Sequence, residues 1–347
     1  MRDVDYIVVG LGIAGISLCE QLEKGQKSFM VIDAPEEGAT ARSGGIFNPT
    51  VLKRFTPAWN ASVFYPVAVD FYKDLSKKLK KEIYRETPIL RILNNIEEQN
   101  NWVVASEKVG LKNYLRPEIV RNTNPYISAP FGFGKLLGTA RLLKNVILTL
   151  YKNELLSKGQ LLNDLFEYDT LHINDEGIEY KGITAKKIIF CEGPGVLKNP
   201  FFPTKAIIPN RGEYLIIKAP DLKLKELLKG PIYIIPLGED LYKVGATYDR
   251  DQTISETTSR AREDILEKVK RMITCSFNVV GQTSGIRPTT IDRKPLLGHF
   301  NEHPNLIFFN GLGTHGLLMA PYLSKVIYDN LEEGTPISEE MDIRRVL

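Results

Sequence analysis

Gly10-Leu-Gly12-Ile-Ala-Gly15 stands between a β-branched apolar run, residues 6–10, and a stretch with helical apolar spacing, residues 16–24. Glycines at this spacing offer bare backbone to a phosphate. Gly10 permits a tight turn, Gly12 leaves room for a pyrophosphate, and Gly15 lets the helix lie close on the strand. Gly12 is also expected to need backbone angles closed to valine. The following helix brings free N–H groups and its positive end to the same point. Asp33 closes a second apolar run about 20 residues after Gly10, where a carboxylate accepts from ribose hydroxyls. Strand, glycine turn, helix, strand and acid make a dinucleotide-binding unit, and these residues leave NAD and FAD equally open.

Residues 39–45, with Ser43, Gly44 and Gly45, follow soon after Asp33. They are small and expose backbone, which suits them to lie along a phosphate or ribityl chain. Helical spacing returns at residues 64–81 and 142–158. Residues 161–168, 170–180 and 185–190 read as strands, the last closing on Cys191-Glu-Gly193. A glycine turn after a buried strand is where a parallel α/β sheet binds ligand. Residues 212–218, 232–236 and 241–247 read as a second, antiparallel sheet, and 255–273 as an amphipathic helix. Glycine-rich segments then recur at 285–288, 294–298 and 311–316, the last opening a helix to residue 331.

The pattern predicts a mixed α/β protein of two interleaved domains. A discontinuous dinucleotide domain takes residues 1–50, 138–205 and 283–347, and a substrate domain takes 51–137 and 206–282.

A length of 347 residues suits two domains. Against 45 basic residues stand 42 acidic ones, so charge gives no strong reason to expect nucleic acid or a membrane surface. Lys73, Lys77, Lys78, Lys80 and Lys81 read as a solvated helix face, because no aromatic platform accompanies them. The three cysteines, an odd number without a Cys-x-x-Cys, argue against a disulfide framework or zinc knuckle. Gly298 and Pro304 bracket His299 and His303 and deny them the helix that metal binding at this spacing needs, so no metal is expected. No apolar run reaches the roughly 18 residues of a membrane span, and the chain reads as cytoplasmic.

The ordered set of Gly10 to Gly15 with Asp33, Ser43-Gly44-Gly45, the Cys191-Glu-Gly193 strand end, Gly285-Ile-Arg287-Pro288 with Asp292 and Pro295, and Gly311 to Gly316 with Ala320-Pro321 resembles the D-amino-acid-oxidase-like family of FAD-dependent oxidoreductases. The resemblance spans essentially the whole chain. Glycine-oxidase-like enzymes and the oxidase domain of the bifunctional wobble-uridine tRNA-modification enzyme are the subfamilies it is most similar to. Thr314 stands where glycine oxidases tend to carry an arginine, and His315 where the tRNA enzyme tends to carry one.

The resemblance implies FAD, which some relatives attach covalently through cysteine or histidine; Cys191, at a buried strand end before a glycine turn, reads instead as a small apolar filler, so the FAD is expected to be non-covalent. It implies cofactor contacts from Gly10, Gly12, Ile13, Ala14, Gly15, Asp33, Ala34, Arg42, Ser43, Gly44, Gly45, Cys191, Gly193, Arg287, Gly311, Gly313, Thr314, His315, Gly316 and Leu317. It further implies a small amine or amino acid as substrate, oxidised at its CH–NH bond, with oxygen or another acceptor taking the electrons. Arg287, between a strand and the stiff Pro288, is expected to grip a substrate carboxylate; its structural alternative is a pairing with Asp292. Tyr233 and Tyr248 are expected to line the pocket from the antiparallel sheet. His315 is expected to offer a hydrogen bond or positive charge near the flavin. Two other readings are carried beside this one: a tRNA wobble-uridine demethylase-like enzyme, and a flavin-binding protein without turnover.

Overall fold

The computed structural model describes residues 2–174, 177–250 and 253–346. The apolar runs around the first glycine turn form the Arg2–Val9 and Phe29–Ile32 strands, joined by the Ile13–Lys24 helix. These strands lie parallel, with Tyr6 opposite Phe29 and Val9 opposite Ile32. Ile183–Phe190 runs parallel on the other side of Arg2–Val9, and Leu306–Asn310 runs parallel beside it. Both faces of this sheet are buried. Tyr6, Val8, Val31 and Phe309 pack under the helices Ile13–Lys24, Ala61–Lys78, Lys144–Ser157 and Gly316–Glu333. Ile7, Val9, Ile32 and Phe308 face the other way, onto Phe166, Phe202 and Phe300. Burial on both faces explains why the strands read as unbroken apolar runs rather than as alternating ones.

The 161–180 region departs from expectation. Only Leu161–Leu162 is extended at its start, and Tyr168–Thr170 is a short helical turn. The single strand expected over 170–180 is instead a hairpin, Leu171–Asn174 against Gly177–Tyr180, with residues 175 and 176 outside the described set. The cause is local: Asn174 Oδ1 accepts the Gly177 N–H at 2.9 Å, and Gly177 takes a φ of +144°.

The second sheet is largely antiparallel. It runs in the order Asp249–Arg250, Ile208–Lys218, Leu241–Gly245, Tyr233–Gly238, Leu227–Lys229, Ile89–Ile92, Phe133–Leu136 and Leu115–Val120. Asn278–Thr289 also pairs with Ile208–Lys218, and the Leu227–Lys229 pairing with Ile89–Ile92 is parallel. Helix Ser259–Met272 closes one face, its Ile265, Val269 and Met272 meeting Leu215, Ile217, Ile234 and Val244. Side chains of the opposite parity, Tyr214, Tyr233 and Ile235, point the other way. They look toward the loops at the ends of the first sheet: a Cβ on Gly44 would lie 2.9 Å from Ile235 Cδ1 and 3.1 Å from Tyr214 Oη. The mixed α/β class, with a parallel sheet interleaved with an antiparallel one, is the class the sequence predicts.

Candidate active site

Between the two sheets lies a cavity of about 1330 Å³, above the roughly 300–1,000 Å³ usual for a single small ligand. Gly10, Gly12, Ile13, Ala14, Asp33, Ala34, Arg42, Ser43, Gly44, Gly45, Cys191, Gly193, Gly313, Thr314, Gly316 and Leu317 all stand on its wall. So do Arg287, Tyr233, Tyr248 and His315. Gly15 and Gly311 do not. A Cβ on Gly15 would strike the Gly10 carbonyl, so its bareness serves helix-on-strand packing. Gly311 holds a left-handed turn, with φ +76°.

The glycine turn fits a dinucleotide phosphate. Gly10 has φ +95°, and a Cβ there would lie 2.6 Å from the Cys191 carbonyl oxygen, so the protein itself demands glycine. Gly12 differs. Its φ of −72° and ψ of −170° are open to any residue, which corrects the expected backbone constraint. A Cβ there would meet only Thr40 Oγ1, at 3.3 Å, and the space beyond belongs to the cavity. Gly12 begins the Ile13–Lys24 helix with no side chain of its own to cap it; Thr40 Oγ1 accepts the Ile13 N–H at 3.1 Å, and the helix's dipole end faces the cavity. Asp33 Oδ1 accepts the Leu11 N–H at 2.8 Å and Oδ2 lies 3.5 Å from Lys152 Nζ. Burial raises the Asp33 carboxyl above its usual range, opposed by these two partners.

Two lysines that sequence reasoning missed pin the 41–43 backbone over the cavity. Lys243 Nζ donates to the Arg42 and Ser43 carbonyls, both at 2.8 Å, and stands 4.5 Å from the Tyr214 ring centroid. Lys144 donates to the Ala41 carbonyl. Burial pushes the Lys243 ammonium down to about 7. The one available signal was a charged residue inside an apolar strand, Leu241-Tyr-Lys-Val244.

Arg287 lies within the Asn278–Thr289 strand, not at its end, with Pro288 paired against Pro209. Its guanidinium folds across Gly212, where any Cβ would collide with it. Nη1 donates to Asn210 Oδ1 at 2.8 Å and to the Thr247 carbonyl at 3.4 Å. Asp292, its expected structural partner, is engaged by Arg345 instead, at 3.2 Å. Among the described residues Arg287 has no carboxylate partner. Tyr248 sits in the connection after Leu241–Gly245 rather than in the sheet, and its ring centroid lies 5.8 Å from the Arg287 guanidinium. Tyr233 does project from the sheet.

His315 starts the Gly316–Glu333 helix. Burial, with Arg293 nearby, lowers its imidazole pKa, so the structure supports a neutral hydrogen-bonding ring and not the positive charge expected as an alternative. Cys191 is buried, and burial holds its thiol well above the usual range, which disfavours a nucleophilic thiolate. His299 Nδ1 contacts the Phe300 carbonyl, while the His303 ring packs on Phe201. Among the described residues no cluster of His, Cys, Asp and Glu could hold a metal ion, and no helix is long and apolar enough to cross a membrane.

Glu192 also stands on the wall and also escaped sequence reasoning. Tyr168 Oη donates to its Oε1, and Asn199 Nδ2 to Oε2 at 2.9 Å. Burial pushes the carboxyl up to about 7 against these two donors. Between about pH 4.5 and 7 the folded chain therefore holds a proton that the unfolded chain has released, and stability falls as pH rises across that window. Glu192→Gln removes this titration. Its melting temperature relative to wild type should climb between pH 5 and pH 8. A difference that stays constant with pH would refute the burial of charge at this position.

The family model for FAD dependent oxidoreductases, DAO, matches residues 5–329. Glycine oxidase of Bacillus subtilis (strain 168) is 23% identical over 353 residues, covering 94% of this chain and 93% of that one. The tRNA 5-methylaminomethyl-2-thiouridine biosynthesis bifunctional protein MnmC of Idiomarina loihiensis is 29% identical over 174 residues, 47% of this chain and 28% of that one. Among solved structures, glycine oxidase from Geobacillus kaustophilus shares the fold with a TM-score of 0.77 at 16% identity, over 97% of this chain and 96% of that one. The match over nearly the whole chain, on a fold whose glycine turn suits a dinucleotide phosphate, shows that this protein belongs to the DAO family of FAD-dependent oxidoreductases.

Proposed function

We propose that this enzyme oxidises the CH–NH bond of a small amine or amino acid that carries a carboxylate. The carrying observation is Arg287, a guanidinium without a carboxylate partner among the described residues, on the wall of the same cavity as Gly12 and Asp33. Bound FAD supplies the acceptor for a hydride from the carbon beside the amine nitrogen. Gly12 and the positive end of the helix it opens would hold its pyrophosphate, Asp33 its ribose, and residues 42–45 the chain toward its ring. Asn210 and Thr247 occupy one edge of the Arg287 guanidinium, which leaves the other for two parallel hydrogen bonds to a substrate carboxylate. Tyr233 and Tyr248 would wall the substrate and shed water from it, and a neutral His315 would donate or accept without adding charge.

The division proposed for the chain assigns residues 1–50, 138–205 and 283–347 to FAD and 51–137 and 206–282 to substrate. The Asn278–Thr289 strand runs across the last join and carries Arg287 to the cavity. A tRNA substrate has less support. Lys78 pairs with Glu20 and Glu23, and Lys77 with Asp74, so part of the lysine-rich helix face is already neutralised. An anaerobic screen of amines and amino acids tests the reading. Bleaching of the oxidised flavin band by at least one carboxylate-bearing amine is expected. A flavin that no such compound reduces would overturn it.

A further inference from the structure

Lys229 is the last residue of the Leu227–Lys229 strand and stands on the cavity wall. Its Nζ lies 4.9 Å from the Tyr233 ring centroid and donates to the Gly230 carbonyl at 2.8 Å and the Pro231 carbonyl at 3.2 Å. Two carbonyls and a ring face do not neutralise an ammonium. A half-buried cation ordinarily finds a carboxylate, and among the described residues none pairs with this one.

Its charged neighbours are Arg91, Lys268 and Lys53, all cations. Arg91 and Lys268 have their own acids, Glu98 and Asp264. Lys53 is exposed and also reaches the cavity. Burial first, and these cations after it, push Lys229 down to about 8. Among the described residues Lys229 and Lys53 thus leave positive charge at this end of the cavity with no carboxylate paired to it.

The sheet register relates this point to Arg287. Lys229 pairs with Tyr233, Tyr233 with Gly245, and Gly245 with Tyr214, so these residues form one row on the face that looks into the cavity. Arg287 folds over Gly212, two residues along from Tyr214. Three strand spacings separate the backbones at Lys229 and Tyr214, about 14 Å; Lys229 Nζ stands over the ring of Tyr233, one strand nearer, and the Arg287 guanidinium lies over Gly212 on the Tyr214 strand, so about two spacings remain between them. The head groups therefore approach to the order of 10 Å, a distance that a short dicarboxylate bridges with a charge-assisted hydrogen bond at each end.

We infer that the pocket selects an amine or amino acid bearing a second carboxylate, and that Lys229 is the residue that recognises it. The inference rests on the proposed role of Arg287 and adds the second contact. A merely structural lysine would brace the 229–231 turn through its two carbonyls and be indifferent to the ligand.

Calorimetric titration of the FAD-loaded protein at neutral pH and low salt separates these roles, with saturated acids as probes that are not oxidised. Succinate and glutarate should bind at least about tenfold more tightly than butyrate and valerate, the yield of one further charged hydrogen bond. Lys229→Gln should remove that preference, and Lys229→Arg, which keeps the charge, should retain most of it. Arg287→Ala should weaken all four acids. Butyrate held through Arg287 with no gain from a second carboxylate, or a preference that survives in Lys229→Gln, would overturn the role of Lys229 alone. Absence of binding by every acid would overturn the carboxylate anchor and this inference with it.

Discussion

Gly12→Val is expected to yield a folded, colourless protein. Three glycines of the first turn look equivalent in sequence and differ in what surrounds them. Gly10 holds φ +95° against the Cys191 carbonyl, and Gly15 lies against the Gly10 carbonyl, so a side chain at either disturbs the protein's own packing. At Gly12 the backbone is extended and a Cβ meets only the end of Thr40. Valine there is tolerated by the fold, at about 1 kcal/mol for a poorer helix start. Its methyl groups enter the space that the pyrophosphate needs. The FAD content of the purified variant, read from the 450 nm to 280 nm absorbance ratio, should fall at least about tenfold; emptying a nearly full site to about a tenth needs roughly 3 kcal/mol of lost binding. Circular dichroism should be unchanged, and the melting temperature should fall only slightly below that of wild-type protein stripped of flavin, because bound ligand itself stabilises and valine costs a little at the helix start. Gly15→Ala should do the reverse, lowering stability in the flavin-free state. A Gly12→Val protein as yellow as wild type would remove the pyrophosphate from this turn.

That contrast marks how far the sequence could be read. The first strand–turn–helix–strand unit was legible because its strands are buried on both faces and its turn has a phosphate's geometry, so several local signals agree. The segment at 170–180 was misread for want of one local bond, Asn174 to Gly177, that turns it into a hairpin. Arg287 was legible as a candidate but its surroundings were not. Its tie to Asn210 spans 77 positions and its freedom from Asp292 depends on Arg345, which lies 53 residues beyond that acid. Lys229, Lys243 and Glu192 each appear in sequence as one charge beside an apolar strand. Only the fold shows that Lys229 and Glu192 share a cavity and that Lys243 pins the backbone of residues on its wall, because spacing along one strand carries no information about which loop faces it. Nor did spacing show that the missing side chain of Gly212 is what admits the Arg287 guanidinium.

Arg287→Ala is expected to fold, retain FAD and lose most of its activity on a carboxylate-bearing amine. Truncating a desolvated partner of a charged group costs roughly 2–5 kcal/mol, or about 30- to several-thousand-fold in kcat/KM. The loss should fall mainly on KM if the carboxylate is held equally before and during hydride transfer, and on kcat if the grip aligns the reacting C–H bond. Arg287→Lys should recover only part, because an ammonium cannot make two parallel hydrogen bonds. The competing role is structural. Arg287 ties the Ile208–Lys218 strand to the loop at Thr247 and packs beside Tyr248, contacts worth about 1–2 kcal/mol together. Pairing with Asp292 is no longer part of that alternative, since Arg345 holds the acid. The two roles separate on matched substrates. An anchor loses far more on an amino acid than on the amine left by its decarboxylation, with a modest change in melting temperature. A brace loses equally on both and melts earlier. Measured kcat/KM for such a pair, with melting curves of the same preparations, gives the answer, and equal losses on both substrates would leave the guanidinium a strut and the preference for a carboxylate without a residue to exert it.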